Sequence, residues 1–340
     1  MRLLSVDTQS SLVFTSGGTE ACNLMLRGFL GNSPQPGERI VSTPIEHPAV
    51  SEVLLSLERI GFELCVSRLN SDGRVDVKSV QDLVNGKTTL INIMAANNET
   101  GALQPVVELA VGLRAEGYQG LIVSDFTQAL GKSELKVQDF FDSGVDAIAI
   151  SGHKIGAISG IGALVFKQSE VCRLIDPLLL GGPQEKGFRG GTENLLGSLS
   201  FGVAAEELLK RQDEEMAEIR RLKSLLWSNL SKGLDGLKLY GSEECLSNTL
   251  LIGFKGCLGG DLVAALDIAG VCVSTGSACA SGKQGVSDTV QSIEPDPLAA
   301  KEVVRFSLDW STSETEIEKA TEIVVNCVSA MRASKLQTAA

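Results

Sequence analysis

From residue 11 to residue 154 the chain repeats one pattern: a short apolar run, a polar turn and a helical segment. The runs occupy 11–15, 39–43, 62–66, 88–94, 120–124 and 145–150. Strands alternating with helices build a mostly parallel sheet, because each parallel connection has to cross the sheet and a helix is the usual crossover. Ligands of such sheets bind beyond the carboxyl ends of the strands. Thr19, His47, Asn98, Asp125 and Lys154 each follow one of these runs. The pattern therefore predicts that five chemically capable side chains gather along one edge.

The sharpest junction is Ser151-Gly152-His153-Lys154, where the buried run 145–150 stops and a glycine-punctuated turn leads to a second apolar run at 162–166. An amine just past a buried strand is partly desolvated, which disfavours its charged form and makes it a nucleophile able to form a Schiff base. A lysine here is equally able to end a strand and reach water, so the decision rests on its companions. Ser16-Gly17-Gly18-Thr19-Glu20 joins a strand to a helix, and the free N–H groups of a helix start suit an anion. The same residues would serve an ordinary capped helix, and they match neither the Walker nor the dinucleotide pattern. The run 120–124 delivers Asp125 at its carboxyl end, with Gln128 one turn later.

The bulk numbers narrow the class. At 340 residues and 43% hydrophobic, the chain has material for a large core and more than one domain. Its net charge of −12 and lack of a long basic block argue against nucleic acid as the main ligand, while leaving room for a small anion in a local basic pocket. Eight cysteines are scattered without a CxxC or Cys/His cluster, which supports neither a structural zinc site nor a disulfide framework. No signal-peptide pattern and no apolar run approaching 18 residues is present, so the expectation is a cytoplasmic protein with reduced thiols and no membrane partner.

After Lys154 the glycine-rich stretch 178–194 precedes a long helical region, 195–230, whose charged second half reads as a solvated face bridging two domains. Expected boundaries are 1–205 for a large domain and 206–340 for the connecting helix plus a smaller α+β domain. In the latter, 237–240, 248–254, 271–274 and 302–308 read as strands, 261–269 as a helix and 313–332 as the final helix. Gly276-Ser277-Ala278-Cys279-Ala280-Ser281-Gly282 reads as a mobile loop carrying a thiol, although a spectator cysteine would look the same. Arg305 lies inside an apolar strand, where a guanidinium needs an anion, either a ligand or an internal carboxylate.

One cofactor accounts for the set. Pyridoxal 5'-phosphate needs an amine for its aldehyde, a carboxylate for its ring nitrogen, a nest for its phosphate and a cover for its ring. Lys154 can be the amine and Asp125 the carboxylate; each unit by which Asp125 raises the ring pKa corresponds to about 1.4 kcal/mol. Gly18, Thr19, Ser151 and His153 can bind phosphate, His47 can stack on the ring, and Asn98 and Gln128 can donate to the ring hydroxyl.

The segments FTSGGTEA, IEHPAV, NNETGALQP, SDFTQALGK, SGHK, GGPQEKGFRGGTEN and GSACASG, in this order over nearly the whole chain, resemble the class V aminotransferase family, and within it cysteine desulfurases of the NifS/IscS type. The resemblance implies the type I fold of pyridoxal phosphate enzymes, α/β, with a mostly parallel seven-stranded sheet and a smaller C-terminal α+β domain. It implies that Lys154 is the Schiff-base lysine, Asp125 the ring-nitrogen partner and His47 the stacking histidine, with Asn98 and Gln128 orienting the cofactor and Asn98 also meeting the substrate. Gly18, Thr19, Ser151 and His153 become phosphate ligands. Thr192 resembles a threonine that reaches the phosphate of a neighbouring subunit, so a homodimer is implied. Arg305 is similar to the arginine that receives the substrate carboxylate, and Cys279 to the thiol that takes sulfur from L-cysteine and hands it to an acceptor or scaffold protein. Such sulfur feeds iron–sulfur cluster or thio-cofactor synthesis in the family.

Three departures from the family pattern stand out. The extended segment usual before the phosphate-site glycines is expected to be absent, Cys22 stands where asparagine is common, and the stretch after Lys154 lacks the usual Gly-Pro-Lys-Gly. Selenocysteine lyase, C–S lyase or aminotransferase chemistry on the same fold stays open, as does a scaffold without turnover.

Overall fold

The computed structural model describes residues 4, 6, 10–31, 34–276 and 286–338, with side chains as far as 335. It divides into two compact units, one of Met1–Arg68, Val75–Ala96 and Gln104–Gln212, the other of Leu69–Arg74, Asn97–Leu103 and Asp213–Ala340.

The first unit contains β1 (Ser11–Thr15), α1 (Gly18–Leu30), β2 (Arg39–Ser42), α2 (Pro48–Arg59), β3 (Glu63–Val66), α3 (Val77–Leu83), β4 (Thr88–Asn92), α4 (Val106–Ala115), β5 (Leu121–Asp125), α5 (Val137–Ser143), β6 (Ala147–Ser151), β7 (Gly162–Phe166) and α6 (Ser169–Cys172). The strands form one seven-stranded sheet in the order β1-β7-β6-β5-β4-β2-β3. All neighbours from β6 to β3 pair in parallel, while β7 pairs antiparallel with both β6 and β1. Thus β7 alone runs against the rest. Every residue of β6 and β7 is buried, which is why both read as unbroken apolar runs.

Helices α1 and α2 pack Leu24, Met25, Val50 and Leu57 against the sheet, in a core that includes Leu90 of β4 and Phe166. At about 25 cal/mol per Å² of apolar surface, each such side chain contributes about 1.5–3 kcal/mol. At the amino ends of β5 and β6, Arg114 from α4 donates to the carbonyls of Tyr118, Gly120 and Gly144 and pairs with Asp146 at 2.8 Å. Asp146 in turn accepts the Ile122 N–H at 2.8 Å. The beginnings of the two strands are thereby pinned together.

Helix α7 (Leu195–Gly233) belongs to both units, with Gln212 the last residue of the first. The second unit continues with β8 (Leu237–Tyr240), β9 (Thr249–Phe254), α8 (Gly259–Ile268), α9 (Asp288–Ile293), β10 (Val303–Ser307) and α10 (Glu314–Thr338). Its three strands pair antiparallel in the order β10-β9-β8. Leu222, Leu226, Ile252, Phe254, Val304 and Val324 form its core. The expected strand at 271–274 is not formed. Val271 N–H turns back to the Leu266 carbonyl at the end of α8, and Ser274 alone bridges to Arg305. No described helix is long and apolar enough to cross a membrane.

The approach of β7 to the start of α1 requires glycine at 162. A Cβ there would lie 2.6 Å from the Gly17 carbonyl carbon and 2.8 Å from the Ile150 oxygen, both of them backbone. Gly162→Ala is therefore expected to cost about 1–3 kcal/mol. Gly260→Ala, on an open site of α8, should gain up to about 0.5–1 kcal/mol. Urea unfolding followed by far-ultraviolet circular dichroism checks both signs, and a neutral Gly162→Ala would contradict the packing.

Candidate active site

At the junction of β1 and α1, no side chain caps the helix, whose Ncap is Gly17. Its first turn thus offers N–H groups to an anion. The acidic Glu20 in that turn would oppose an anion, but Arg189 pairs with it at 2.9 Å and Ser16 N–H donates to it. Although burial works the other way, these bonds hold its carboxyl below the usual range. A Cβ placed on Gly18 would lie 3.2 Å from both Ser151 Cβ and Thr127 Oγ1. Gly18, Thr127 and Ser151 therefore converge. Thr127 Oγ1 is buried with no hydrogen-bond partner, and a buried hydroxyl left alone costs about 1–3 kcal/mol. Ser151 Oγ lies 2.9 Å from His153 Nδ1. Burial, then Lys154 and Lys132, push His153 below its ordinary pKa. Thr19 stands exposed at the helix start.

Lys154 rides on a single 3-10 turn, Gly152–Ile155, directly after β6; the turn closes at Gly156, whose left-handed φ of 94° favours glycine. Asp125 ends β5, paired with Ala149 of β6. Its Oδ1 accepts the Thr127 N–H at 2.9 Å, which fixes the carboxylate. His47 is the N-cap of α2 and accepts the Ala49 N–H on Nδ1 at 3.1 Å. A ring accepting at Nδ1 carries no proton there. Burial agrees, pushing His47 below its ordinary 6.5; Asp125 opposes this and Lys154 adds to it. One imidazole thus lies within electrostatic reach of both groups. Gln128 accepts from Lys132 Nζ at 3.2 Å on its amide oxygen, leaving the amide nitrogen to donate elsewhere.

The sequence reading missed Thr127 and the role of Cys22. Cys22 is 1% exposed, and burial pushes its thiol well up, with Asp125 beside it adding to the effect. A neutral thiol therefore faces Asp125. Thr127 had a signal in hindsight, being a hydroxyl two residues beyond the strand that ends in Asp125.

The remaining predicted residues lie on other segments of the chain. Thr192 lines a cavity of about 260 Å³ with Ser16, Glu185, Arg189 and Asn194. Asn98 and Arg305 belong to the second unit, where the Arg305 guanidinium donates to the Asn98 carbonyl at 2.7 Å. Cys279 lies outside the described residues. Among the described residues no His, Cys, Asp and Glu form a metal-holding group.

The first unit's donor set fits pyridoxal phosphate. Uncapped helix N–H groups, an orphaned hydroxyl and a serine converge where a phosphate would be held. A carboxylate, an imidazole and an amine follow on the same strand ends, matching ring nitrogen, ring face and aldehyde.

Comparison with known proteins agrees. Residues 1–320 match the family model for class V aminotransferases. The chain is 36% identical over 332 residues to a cysteine desulfurase of Nostoc sp., covering 97% of this chain and 80% of that protein. A solved NifS-like protein superposes with a TM-score of 0.86 at 28% identity, covering 96% of this chain and 85% of the other. A second, from Rickettsia africae, gives 0.83 at 27%, covering 96% and 84%.

Two outcomes are expected. Thr127→Val removes an orphaned hydroxyl, so folding stability should hold or rise, while affinity for pyridoxal phosphate falls at least about tenfold, as for one lost bond to a charged acceptor. Thermal unfolding and equilibrium dialysis separate the two effects. The second concerns His47, whose pKa in the folded chain lies below its unfolded value. Its cap contributes fully above pH about 6.5 and is withdrawn as pH falls through the folded value. His47→Asn, a non-titrating cap, should flatten the loss of cofactor-free stability below pH about 6.5; superimposable profiles would contradict it.

Proposed function

Since the chain belongs to the class V aminotransferase family, we propose that it is a pyridoxal phosphate-dependent cysteine desulfurase that converts L-cysteine to L-alanine and leaves the sulfur as a persulfide on Cys279. The observation that carries this reading is the placement of Asp125 and Lys154 after two paired parallel strands, with the His47 imidazole in electrostatic reach of both. The similarity to cysteine desulfurases over nearly the whole chain supports the choice of reaction.

When bound, the cofactor supplies an electron sink beside the carbon that loses its proton. The protein's groups divide the remaining work. Lys154 Nζ would hold the aldehyde and, as a free amine, would take the α-proton of the substrate. Asp125 keeps a proton on the ring nitrogen, its own orientation set by Thr127 N–H. The neutral, flat His47 covers the ring. Gly18, Thr19, Thr127, Ser151 and His153 receive the phosphate, and Gln128 and Asn98 orient the ring. To Arg305 we assign the substrate carboxylate. Cys279, as thiolate, attacks the substrate sulfur; the Cβ–S bond breaks with its electron pair left on the substrate, Cβ takes a proton and Cα regains the one it lost, giving alanine and a persulfide on Cys279.

Thr192 is proposed to serve the phosphate of a second copy. An apolar face supports a homodimer. Leu195, Leu196, Leu199 and Val203 recur along one side of α7 with 59–73% of their surface exposed, and Leu180 is 85% exposed. Such a face is costly in water and suits burial against a second copy. From Cys279 the sulfur is proposed to pass to an acceptor protein for iron–sulfur cluster or thio-cofactor synthesis in the cytoplasm.

The test is turnover of L-cysteine by cofactor-loaded protein, with alanine and sulfide measured together under a reductant. Equal amounts of both are expected, with Cys279→Ser abolishing sulfide release but keeping the visible absorbance of the cofactor. Turnover that survives Cys279→Ser would point to C–S lyase or selenocysteine lyase chemistry. Bound cofactor without turnover would point to a scaffold.

A further inference from the structure

A group of buried polar atoms at the carboxyl ends of β2 and β4 takes no part in the chemistry above. The register of these strands, with Val41 opposite Ile91, brings the next residues, Ser42 and Asn92, side by side. Glu46, in the turn after β2, is buried as well. Its Oε1 accepts two hydrogen bonds, from the Met94 N–H at 2.8 Å and from the Thr43 hydroxyl at 3.0 Å. Its Oε2 has no hydrogen-bond partner, and neither do Ser42 Oγ or the two polar side-chain atoms of Asn92. A carboxyl this deep is expensive unless something requires it.

The requirement lies one residue along the chain. Glu46 precedes His47, which caps α2. The two accepted bonds tie Thr43, at the start of this turn, and Met94, just beyond β4, to a single oxygen. We propose that Glu46 is a positioning residue that acts through His47: its carboxyl fastens the turn carrying the imidazole to the end of β4, and so sets where that ring lies over the cofactor. This role rests on the pyridoxal phosphate reading of the site.

Protonation makes the arrangement affordable. Burial pushes Glu46 up to about 8; the Met94 N–H and Thr43 hydroxyl pull it down, while Asp125 on β5 adds to the rise. Near neutral pH it is therefore an uncharged acid, which still accepts both bonds. From α1 it faces Cys22, whose thiol is also neutral, and from β4 the uncharged Asn92, whose amide lies close to it without meeting hydrogen-bonding geometry. A second negative charge beside Asp125 is avoided.

The neutral isostere, Glu46→Gln, keeps an oxygen for both bonds, whereas Glu46→Leu fills the space and keeps neither. Each is loaded with pyridoxal phosphate, beside wild type, His47→Ala and the Glu46→Leu/His47→Ala double variant. Thermal unfolding, the visible circular dichroism induced in the cofactor and the infrared carbonyl band of a protonated carboxyl are then recorded. The Gln variant is expected to retain the induced dichroism, and the Leu variant to lose at least half of it. The double variant should lose no more than His47→Ala alone, because Glu46 acts through that ring. The protonated-carboxyl band should be present at pH 7 in wild type, fade above pH about 8 and be missing in Glu46→Gln. Unchanged dichroism in Glu46→Leu, or a loss additive with that of His47→Ala, overturns the role. Should Glu46→Leu fail to fold, Thr43→Val removes one of the two donors and must show a smaller loss in the same direction. A wild-type protein with no visible band at all overturns the cofactor reading, and this role with it.

Discussion

The site depends on the hydrogen-bonded register between β5 and β6. Val123 pairs with Ala147 and Asp125 with Ala149, so a carboxylate and, five residues beyond its partner, an amine leave the sheet at the same edge. A shift of one residue would send Asp125 to the other face, since strand side chains alternate. Two features prevent it. Every residue of β6 is buried, so a slip would disturb packing on both faces. The Arg114–Asp146 pair, with its bonds to the loop carbonyls before β5 and β6, locks the opposite end of the strands. Such a partly buried, multiply bonded guanidinium exceeds the small worth of an exposed ion pair.

Electrostatics around that register favour uncharged neighbours. His47 accepts a backbone N–H and is pushed below its ordinary pKa, Cys22 is a neutral thiol, and Glu46 is held as an acid. Glu20, which would oppose a phosphate at the start of α1, is paired with Arg189. The chain thereby keeps competing charge away from both ends of the space the cofactor fills, and electrostatic interactions in such a low-dielectric region are stronger than in water.

Much of this was legible in the sequence because it rests on local pattern. Alternation of apolar runs and helical segments located the strands to within a residue or two, and the polar residues ending them named Lys154, Asp125 and His47. Tertiary relations were less legible. That β7 alone runs against the sheet follows from a turn of glycines and small residues after Lys154 whose direction no periodicity encodes. The orphaned Thr127 hydroxyl emerges only when Gly18 is brought against Ser151. Residues 271–274 look like a strand by composition, yet the backbone bond from Val271 to Leu266 commits them to the end of α8. The bond from the Arg305 guanidinium to the Asn98 carbonyl joins residues far apart in the chain, a meeting that no local pattern announces.

The central claim is that one particular amine of this chain holds an aldehyde cofactor. Reducing the cofactor-loaded protein with borohydride makes the attachment permanent, and peptide mass spectrometry then locates it. The account predicts a phosphopyridoxyl group on Lys154, in near one-to-one yield with the chain. A group spread over surface lysines, or a Lys154 peptide recovered unmodified from protein that holds the cofactor, would contradict it.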